Sequence, residues 1–291
     1  MKEIQFNKYR KASFFFSGAL FLLSIILIAF KGFNLSIDFT GGMVIEFAQS
    51  GEEVTAPQTR EVLKALKLDD YSVQMTENKV TIIKVGVKPS ENKDLSVFTG
   101  LIKNAISQKF TKTDINFLKI DFVSPQIGKE LTFKAIIAVL VSLIGVLLYV
   151  SVRFELRYSL GAILALIHDI FITLGFISLV SLSFDVSTIA AVLTVVGYSI
   201  NDSVVVFDRI REIFKLNPKM KNEGVVQHSL NVMLSRTMIT SLTTLIAILA
   251  IILIGGEILR PFASIMFFGI IIGTFSSIFI APCFLHARKS S

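Results

Sequence analysis

The sequence predicts a multispanning α-helical membrane protein that carries one α+β domain outside the bilayer. Three observations predict it. Hydrophobic residues make up 53% of the 291, with 26 Phe and no Trp, and the mean hydropathy is +0.69. That composition lies far outside soluble domains. Six apolar stretches are each long enough to cross a ~30 Å hydrocarbon core: Ala12–Phe30, Phe133–Val152, Tyr158–Val180, Val186–Phe207, Thr237–Ile254 and Pro261–Leu285. Between the first and second lies segment 32–130, which has no long apolar run. The chain therefore divides into 1–31 (first span), 32–130 (soluble domain) and 131–291 (five further spans).

The first span follows Lys2, Lys8, Arg10 and Lys11, as a secretory signal would. Its apolar run exceeds a signal's core and no small-x-small cleavage site follows, so an uncleaved anchor is expected. The net charge of +7 invites a nucleic-acid reading, but its distribution argues for topology. Segment 32–130 is nearly neutral, with 12 Lys+Arg against 13 Asp+Glu. The excess lies before the first span, at Arg153 and Arg157, in 208–236 (Arg209, Arg211, Lys215, Lys219, Lys221, Arg236) and at Arg288 and Lys289. The short loops 181–185 and 255–260 hold only Arg260. This alternation follows the positive-inside rule and places both termini and the 208–236 loop in the cytoplasm. Attraction to lipid headgroups is a by-product, and no nucleic acid is expected. The single cysteine, Cys283, allows no internal disulfide and reads as a small packing residue.

Within 32–130, Met43–Ala48 reads as a strand and Pro57–Leu66 as a helix opened by Thr55 and Pro57. Tyr71–Thr76 and Val80–Val87 are β-rich runs joined by a hairpin turn at Glu77-Asn78-Lys79. Leu95, Phe98, Leu101, Ile102, Ala105 and Ile106 have helical spacing across Leu95–Phe110. In Asn116–Val123, Phe117, Lys119 and Asp121 alternate with Leu118, Ile120 and Phe122, as in a strand. The order β-α-β-β-α-β is that of the ferredoxin-like motif. The segment has no Cys, no His and no glycine-rich phosphate loop, so binding or force transmission is expected of it, or else the role of a spacer. At its two junctions Ser36-Ile37-Asp38-Phe39-Thr40-Gly41-Gly42 suggests a tight turn with close backbone approach. Val123-Ser124-Pro125-Gln126-Ile127-Gly128-Lys129-Glu130-Leu131 combines a proline, a glycine and a helix-start acid. Asp38, Gly41, Gly42, Pro125 and Gly128 are thus candidate hinge residues, or plain connectors.

Asp202 lies inside the fourth span, where a carboxylate is expensive and needs a task or a partner. Thr194, Tyr198, Asn201 and Asp202 share one helical face, and Arg236, Thr240, Thr243 and Thr244 repeat that spacing on the next helix. Asp202 is ~9 Å along its helix from the basic end at Asp208-Arg209, and Arg236 is ~12 Å along a helix beginning near His228. The two stripes are then expected at similar depth, lining one internal path. Burial favours the neutral form of a carboxyl group and a nearby guanidinium favours the charged one. A movement that separates the two would therefore move a proton, and the membrane potential supplies about 2.3 kcal/mol per charge per 100 mV. The alternative is a static ion pair. His168-Asp169 lie midway along the third span with Thr173 one turn on. They point ~100° apart, so one is expected to face the path and the other a neighbouring helix.

No metal site is expected, because His228 and His286 lie near the cytoplasmic side and no His-Glu-x-x-His spacing occurs. Neither a nucleotide-binding Gly-x-x-x-x-Gly-Lys-Ser/Thr motif nor a Ser/His/Asp elbow is present, so no enzymatic activity and no cofactor beyond a proton gradient are expected. Gly161, Gly175, Gly197, Gly269 and Gly273 allow close helix approach, and Gly269 to Gly273 is a small-x-x-x-small pair.

The run Gly197-Tyr198-Ser199-Ile200-Asn201-Asp202-Ser203-Val204-Val205-Val206-Phe207-Asp208-Arg209-Ile210-Arg211-Glu212 resembles the SecD/SecF family of the bacterial protein-export apparatus, and is similar to its SecF branch. Ser36–Gly42, Pro125–Leu131, Ala165–Ile170 with Thr173 and Gly175, Ser235–Thr237 and Thr240–Thr244 carry the same resemblance. Ser36 and Ser124 stand where the family usually has glycine. The resemblance implies a six-helix half of an RND-type assembly with a periplasmic ferredoxin-like domain between helices 1 and 2, in the inner membrane. It implies partnership with SecD and work beside SecYEG and SecA, with YajC and YidC as further associates and the unfolded polypeptide as cargo. Proton flow would drive domain movement late in export, with Asp202 and Arg236 as coupling residues, Thr240 a relay, Asn201 and Tyr198 on the same path and Asp169 in support. Half of an exporter for small molecules or lipids is the runner-up, but a single domain of ~100 residues is small for a substrate pocket. A scaffold without proton coupling is the third reading.

Overall fold

The computed structural model describes residues 4–51, 54–66, 68, 70–76, 79–86 and 95–285. Lys2, Glu77, Asn78, Val87, His286, Arg288 and Lys289 lie outside the described residues. In chain order the elements are α1 (Phe6–Lys31), β1 (Asn34–Leu35), α2 (Ile37–Thr40), β2 (Gly42–Gly51), α3 (Ala56–Ala65), β3 (Tyr71–Met75), β4 (Val80–Gly86), α4 (Leu95–Lys109) and β5 (Thr113–Val123). There follow α5 (Pro125–Arg153), α6 (Leu156–Val180), β6 (Ser183–Phe184), α7 (Val186–Leu216), α8 (Asn222–Ile254), α9 (Gly256–Phe279) and a 3-10 turn at Ala281–Leu285. Helices α1, α5, α6, α7, α8 and α9 each contain a stretch long and apolar enough to cross a membrane.

The domain between α1 and α5 is an antiparallel sheet of order β3-β4-β2-β5 with α3 and α4 inserted after β2 and β4. This is the ferredoxin-like arrangement. Along β2, Met43, Ile45 and Phe47 are buried and meet Leu63 of α3, Ile83 and Val85 of β4, and Ile102 and Ile106 of α4. The start of α3 is set by a capping box, in which Thr55 and Gln58 satisfy each other's end of the first turn. The alternation in β5 is interrupted. Phe117 pairs with Phe47 and Lys119 with Glu46, so Leu118 is the extra residue of a bulge. A bulge changes which parity faces the core. Ile115 and Phe117 therefore pack inside, whereas after the bulge Ile120 and Phe122 stand opposite Ile45 and Met43 and remain partly exposed.

In the membrane part α6, α7 and α9 form the buried centre, while α1, α5 and α8 leave most of their apolar surface facing outward. The α7–α9 crossing is close because of two glycines. A Cβ at Gly269 would stand 2.4 Å from Val195 Cγ2, and one at Gly273 would stand 3.1 Å from Ser199 Cβ. Val195 and Ser199 are four apart, as Gly269 and Gly273 are, so the small-x-x-x-small pair is met by a matching row. Gly175 receives Ser24 of α1 in the same way, with Ser24 Cα 2.7 Å from where a Cβ would stand. Gly197 faces open space and packs nothing among the described residues.

Segment 208–236 is not a loop. α7 continues to Leu216 and α8 starts at Asn222, not near His228, so only 217–221 connect them. Apolarity marks where a helix leaves hydrocarbon, not where it ends. Phe207, Ile210 and Ile213 continue at helical spacing and pack with Val225, Val226 and Leu230 in one buried cluster, which extends both helices.

Candidate functional site

Two groups of residues carry chemistry. The first joins the soluble domain to the membrane part. Ser124 alone separates β5 from α5, and its hydroxyl caps the helix by accepting from the Ile127 amide at 3.3 Å. Ser36 caps α2 in the same manner, accepting from the Asp38 amide at 3.5 Å. Pro125 and Gly128 are therefore not a free hinge segment but the first turn of α5, where proline suits the position. A Cβ at Gly128 would stand 2.5 Å from the Phe39 carbonyl oxygen, and one at Gly41 2.8 Å from Pro125 N. A Cβ at Gly42 would stand 2.4 Å from the Val85 carbonyl oxygen. Gly41 also has φ +81°, in the left-handed region that favours glycine. The two junction motifs, distant in sequence, thus clasp each other backbone to backbone.

The clasp is tied to the α6–α7 connection. β1 pairs in parallel with β6, Asn34 opposite Ser183 and Leu35 opposite Phe184, and the Ser36 amide donates to the Phe184 carbonyl at 2.9 Å. The Asp38 carboxylate accepts from the Val186 amide at 3.5 Å, at the start of α7. Sequence reading missed this ladder, because two residues are too few to show a period. On the far side of the sheet the amide of Met75, on edge strand β3, donates to Glu257 Oε2 at 3.2 Å in the first turn of α9. The domain is therefore held to the membrane part at two separate places.

The second group lies at membrane depth. Asp202 is 6% exposed, and its Oδ2 has no hydrogen-bond partner among the described residues. Ser241 and Arg236 of α8 are the groups that act on its charge, and no ion pair joins Asp202 to Arg236. Asp202 lies fourteen residues before the end of α7 and Arg236 fourteen after the start of α8. At ~1.5 Å per residue both are ~21 Å from the connecting turn. The added helix lengths, ~12 Å on α7 and ~9 Å on α8, bring the two residues level. Tyr198 donates to Ser241 Oγ at 3.4 Å, and Ser241 and Thr274 of α9 share a hydrogen bond at 2.8 Å.

The remaining stripe residues do not line an internal path within this chain. Thr194, Asn201, Arg236, Thr240 and Thr243 are all exposed. The Thr240 hydroxyl donates to the Arg236 carbonyl at 3.1 Å, and Thr243 and Thr244 likewise bond one turn back at 2.9 Å. Helical spacing correctly puts these residues on one face, but spacing does not say whether that face meets the same chain or something outside it. Here it looks outward beside Asp202, which is turned in, and Tyr198, which is half-buried against Ser241.

Asp169 occupies a different place. It is completely buried, and its Oδ2 accepts from Ser199 of α7 at 2.5 Å and from Ser276 of α9 at 2.7 Å. Its Oδ1 meets His168 Nδ1 at 2.9 Å, and His168 Nε2 is hydrogen-bonded to Ser17 of α1. His168 and Asp169 do serve different helices, as the 100° spacing requires, yet they also bond each other, and neither faces the outward stripe.

Residues 102–290 match the model of the protein export membrane protein SecD/SecF C-terminal region, and residues 26–48 match the SecD/SecF GG motif, which includes Gly41 and Gly42. The chain belongs to the SecD/SecF family. The protein translocase subunit SecF of Calditerrivibrio nitroreducens is 41% identical over 294 residues, covering 99% of this chain and 95% of the relative. That of Rickettsia conorii is 41% identical over 282 residues, covering 96% and 90%. The crystal structure of SecDF from Thermus thermophilus, a translocon-associated membrane protein, superposes with a TM-score of 0.76 at 37% identity. A SecDF structure in a super-membrane-facing form gives 0.72 at the same identity. Each comparison covers 96% of this chain but only 38% of the SecDF chain. This SecD/SecF family member is a multi-pass membrane protein with six apolar helices and a sheet domain between the first two.

Proposed function

We propose that this chain is the SecF-like subunit of the protein-export machinery, which with a SecD partner couples proton flow to late translocation and release of polypeptide. The observation that carries the reading is Asp202. It is a buried carboxyl group at membrane depth with one oxygen unpartnered among the described residues, level with a cation that is not ion-paired to it. An unpaired charge in that position is costly, so the group is poised to exchange a proton when its surroundings change. The outward stripe of Asn201, Arg236, Thr240 and Thr243 supports a partner half against α7 and α8 that completes the path, with Tyr198 and Ser241 behind it. The solved SecDF chains extend well beyond the part this chain matches, which supports a partner of the same kind.

The clasp of Asp38, Gly41 and Gly42 with Pro125 and Gly128 would carry helix movement into the sheet domain, because rigid backbone contacts transmit displacement. In this reading the domain is periplasmic, both termini are cytoplasmic, the machinery includes SecYEG and SecA with YajC and YidC as associates, and the chain does no chemistry beyond moving protons. The test is Asp202→Asn with normal membrane insertion. Export that depends on the proton gradient is expected to stop, while the ATP-driven early stage persists. Unchanged late-export kinetics would leave a scaffold without coupling.

A further inference from the structure

The buried pair on α6 is not used by that reading and has features of a site in its own right. Asp169 is fully buried and accepts three hydrogen bonds, two from serine hydroxyls of α7 and α9 and one from His168 Nδ1. As a carboxylate Asp169 would accept from all three, with Ser276 sharing its one hydrogen between Asp169 Oδ2 and the Gly273 carbonyl at 3.0 Å. Its one charged or chargeable contact is His168, itself 8% exposed. With a neutral imidazole the cluster holds a lone negative charge inside an apolar bundle. With an imidazolium it is neutral as a whole. An uncompensated buried charge costs several kcal/mol more than a hydrogen-bonded pair.

The remaining ring nitrogen is free to take that proton. His168 Nε2 is hydrogen-bonded to Ser17 Oγ, and a hydroxyl can both donate and accept. Facing a neutral ring, Ser17 donates to Nε2. Facing an imidazolium, it accepts from the Nε2 proton and its own hydrogen turns away from the ring. Thr173, one turn on from Asp169, adds a buried hydroxyl with no hydrogen-bond partner among the described residues.

Other titratable groups on the elements packed against α6 lie apart. On α1 they are Lys8, Tyr9, Arg10, Lys11 and Lys31, at its ends, and on α9 Glu257 and Arg260, at its start. On α5 they are Lys129, Glu130, Lys134, Tyr149 and Arg153, and Cys283 lies in the terminal 3-10 turn. On α7, Asp208, Arg209, Arg211, Glu212 and Lys215 lie toward its end, Asp202 follows Ser199 by three residues, and Tyr198 points to Ser241.

We propose that His168, with Asp169 and Ser17, forms a second proton-binding site, distinct from Asp202, that takes up one proton at Nε2. The site joins α1, α6, α7 and α9, and α1 leads directly into the clasp. It goes beyond the reading above and stands whether or not Asp202 carries a proton.

The test uses the whole chain in lipid nanodiscs with ring-15N-labelled histidine. The chain has 3 His, so His228→Gln with His286→Gln leaves a single reporter that is itself unaltered. On lowering the pH from about 9 to about 4, a range that brackets the ordinary histidine, Nδ1 is expected to stay protonated throughout. Nε2 is expected to pass from a pyridine-type to a pyrrole-type resonance. The same transition is expected in the Asp202→Asn chain, and its loss is expected in Asp169→Asn, where nothing balances an imidazolium. A ring whose Nε2 resonance is unchanged over the whole range would reduce the pair to a fixed tie between helices. A transition that vanishes in Asp202→Asn would make it part of the Asp202 site, and one that survives in a folded Asp169→Asn chain would remove Asp169 from it. Each of those three results overturns the proposal.

Discussion

Gly128 faces the Phe39 carbonyl so closely that a Cβ would stand 2.5 Å from the oxygen, against backbone that has no rotamer to yield. The contact joins the helix entering the membrane to the turn leaving it.

Gly128→Val is therefore expected to force α2 and α5 apart. Overpacking of this kind costs about 1–3 kcal/mol, read as a lowered midpoint of thermal unfolding in detergent. Gly41→Ala should behave similarly, since φ +81° adds a backbone cost to the contact with Pro125. Gly100 in α4, where nothing lies within 4 Å, is the control. There Ala should raise stability by up to ~1 kcal/mol through helix propensity alone. A Gly128→Val chain as stable as wild type would show that the clasp is not closed in solution.

Much of this was legible beforehand because it is periodic. The apolar lengths gave six spans, the alternations gave the ferredoxin-like order, and the glycine spacing gave a close-approach site on α9 without saying that α7 fills it. What escaped lacks a period or depends on a neighbour. The β1–β6 ladder is two residues long. The bulge at Leu118 is invisible until Glu46 and Phe47 are known to be its partners. The same limit governs the site. Helical spacing grouped Asn201 with Asp202 and Arg236 with Thr240, but only packing shows that Asp202 turns inward while the others look outward. The Asp169 contacts to Ser199 and Ser276 join residues 30 and 107 positions apart, a separation no local pattern reports.

The link between Met75 and Glu257 gives a local prediction. β3 is an edge strand, so the amide has no ladder partner on that side and takes a carboxylate instead. A hydrogen bond to a charged acceptor is worth about 1.5–3 kcal/mol. Glu257→Ala should accordingly speed hydrogen exchange at the Met75 amide by about tenfold or more, with the Ile83 amide inside the sheet unchanged. Equal exchange at Met75 in both proteins would mean that the domain does not rest on α9.

Arg236 and Asp202 should separate stability from coupling. Arg236 is exposed and makes no ion pair among the described residues. Arg236→Gln should change the unfolding free energy of the isolated chain by no more than ~0.5 kcal/mol. Asp202→Asn removes a charge that is buried and incompletely partnered, so stability should hold or rise. Gradient-dependent export should nonetheless fall severely in both. Marked destabilisation of the isolated chain by Arg236→Gln would identify a structural ion pair instead.

Orientation can be read by chemistry from either side of the membrane. Cys283 is the single cysteine and its Sγ donates to the Phe279 carbonyl at 2.8 Å, a bond that serine can also make, so Cys283→Ser gives a quiet background. Two exposed positions then report opposite faces: Lys109 at the end of α4 in the sheet domain, and Lys219 in the turn between α7 and α8. Because basic residues concentrate around that turn and not in the 255–260 loop, the positive-inside rule puts Lys219 in the cytoplasm. In intact spheroplasts an impermeant maleimide should label Lys109→Cys readily and Lys219→Cys only after permeabilisation. Labelling of Lys219→Cys alone would invert the molecule and put the sheet domain on the cytoplasmic side, where it could not draw polypeptide outward.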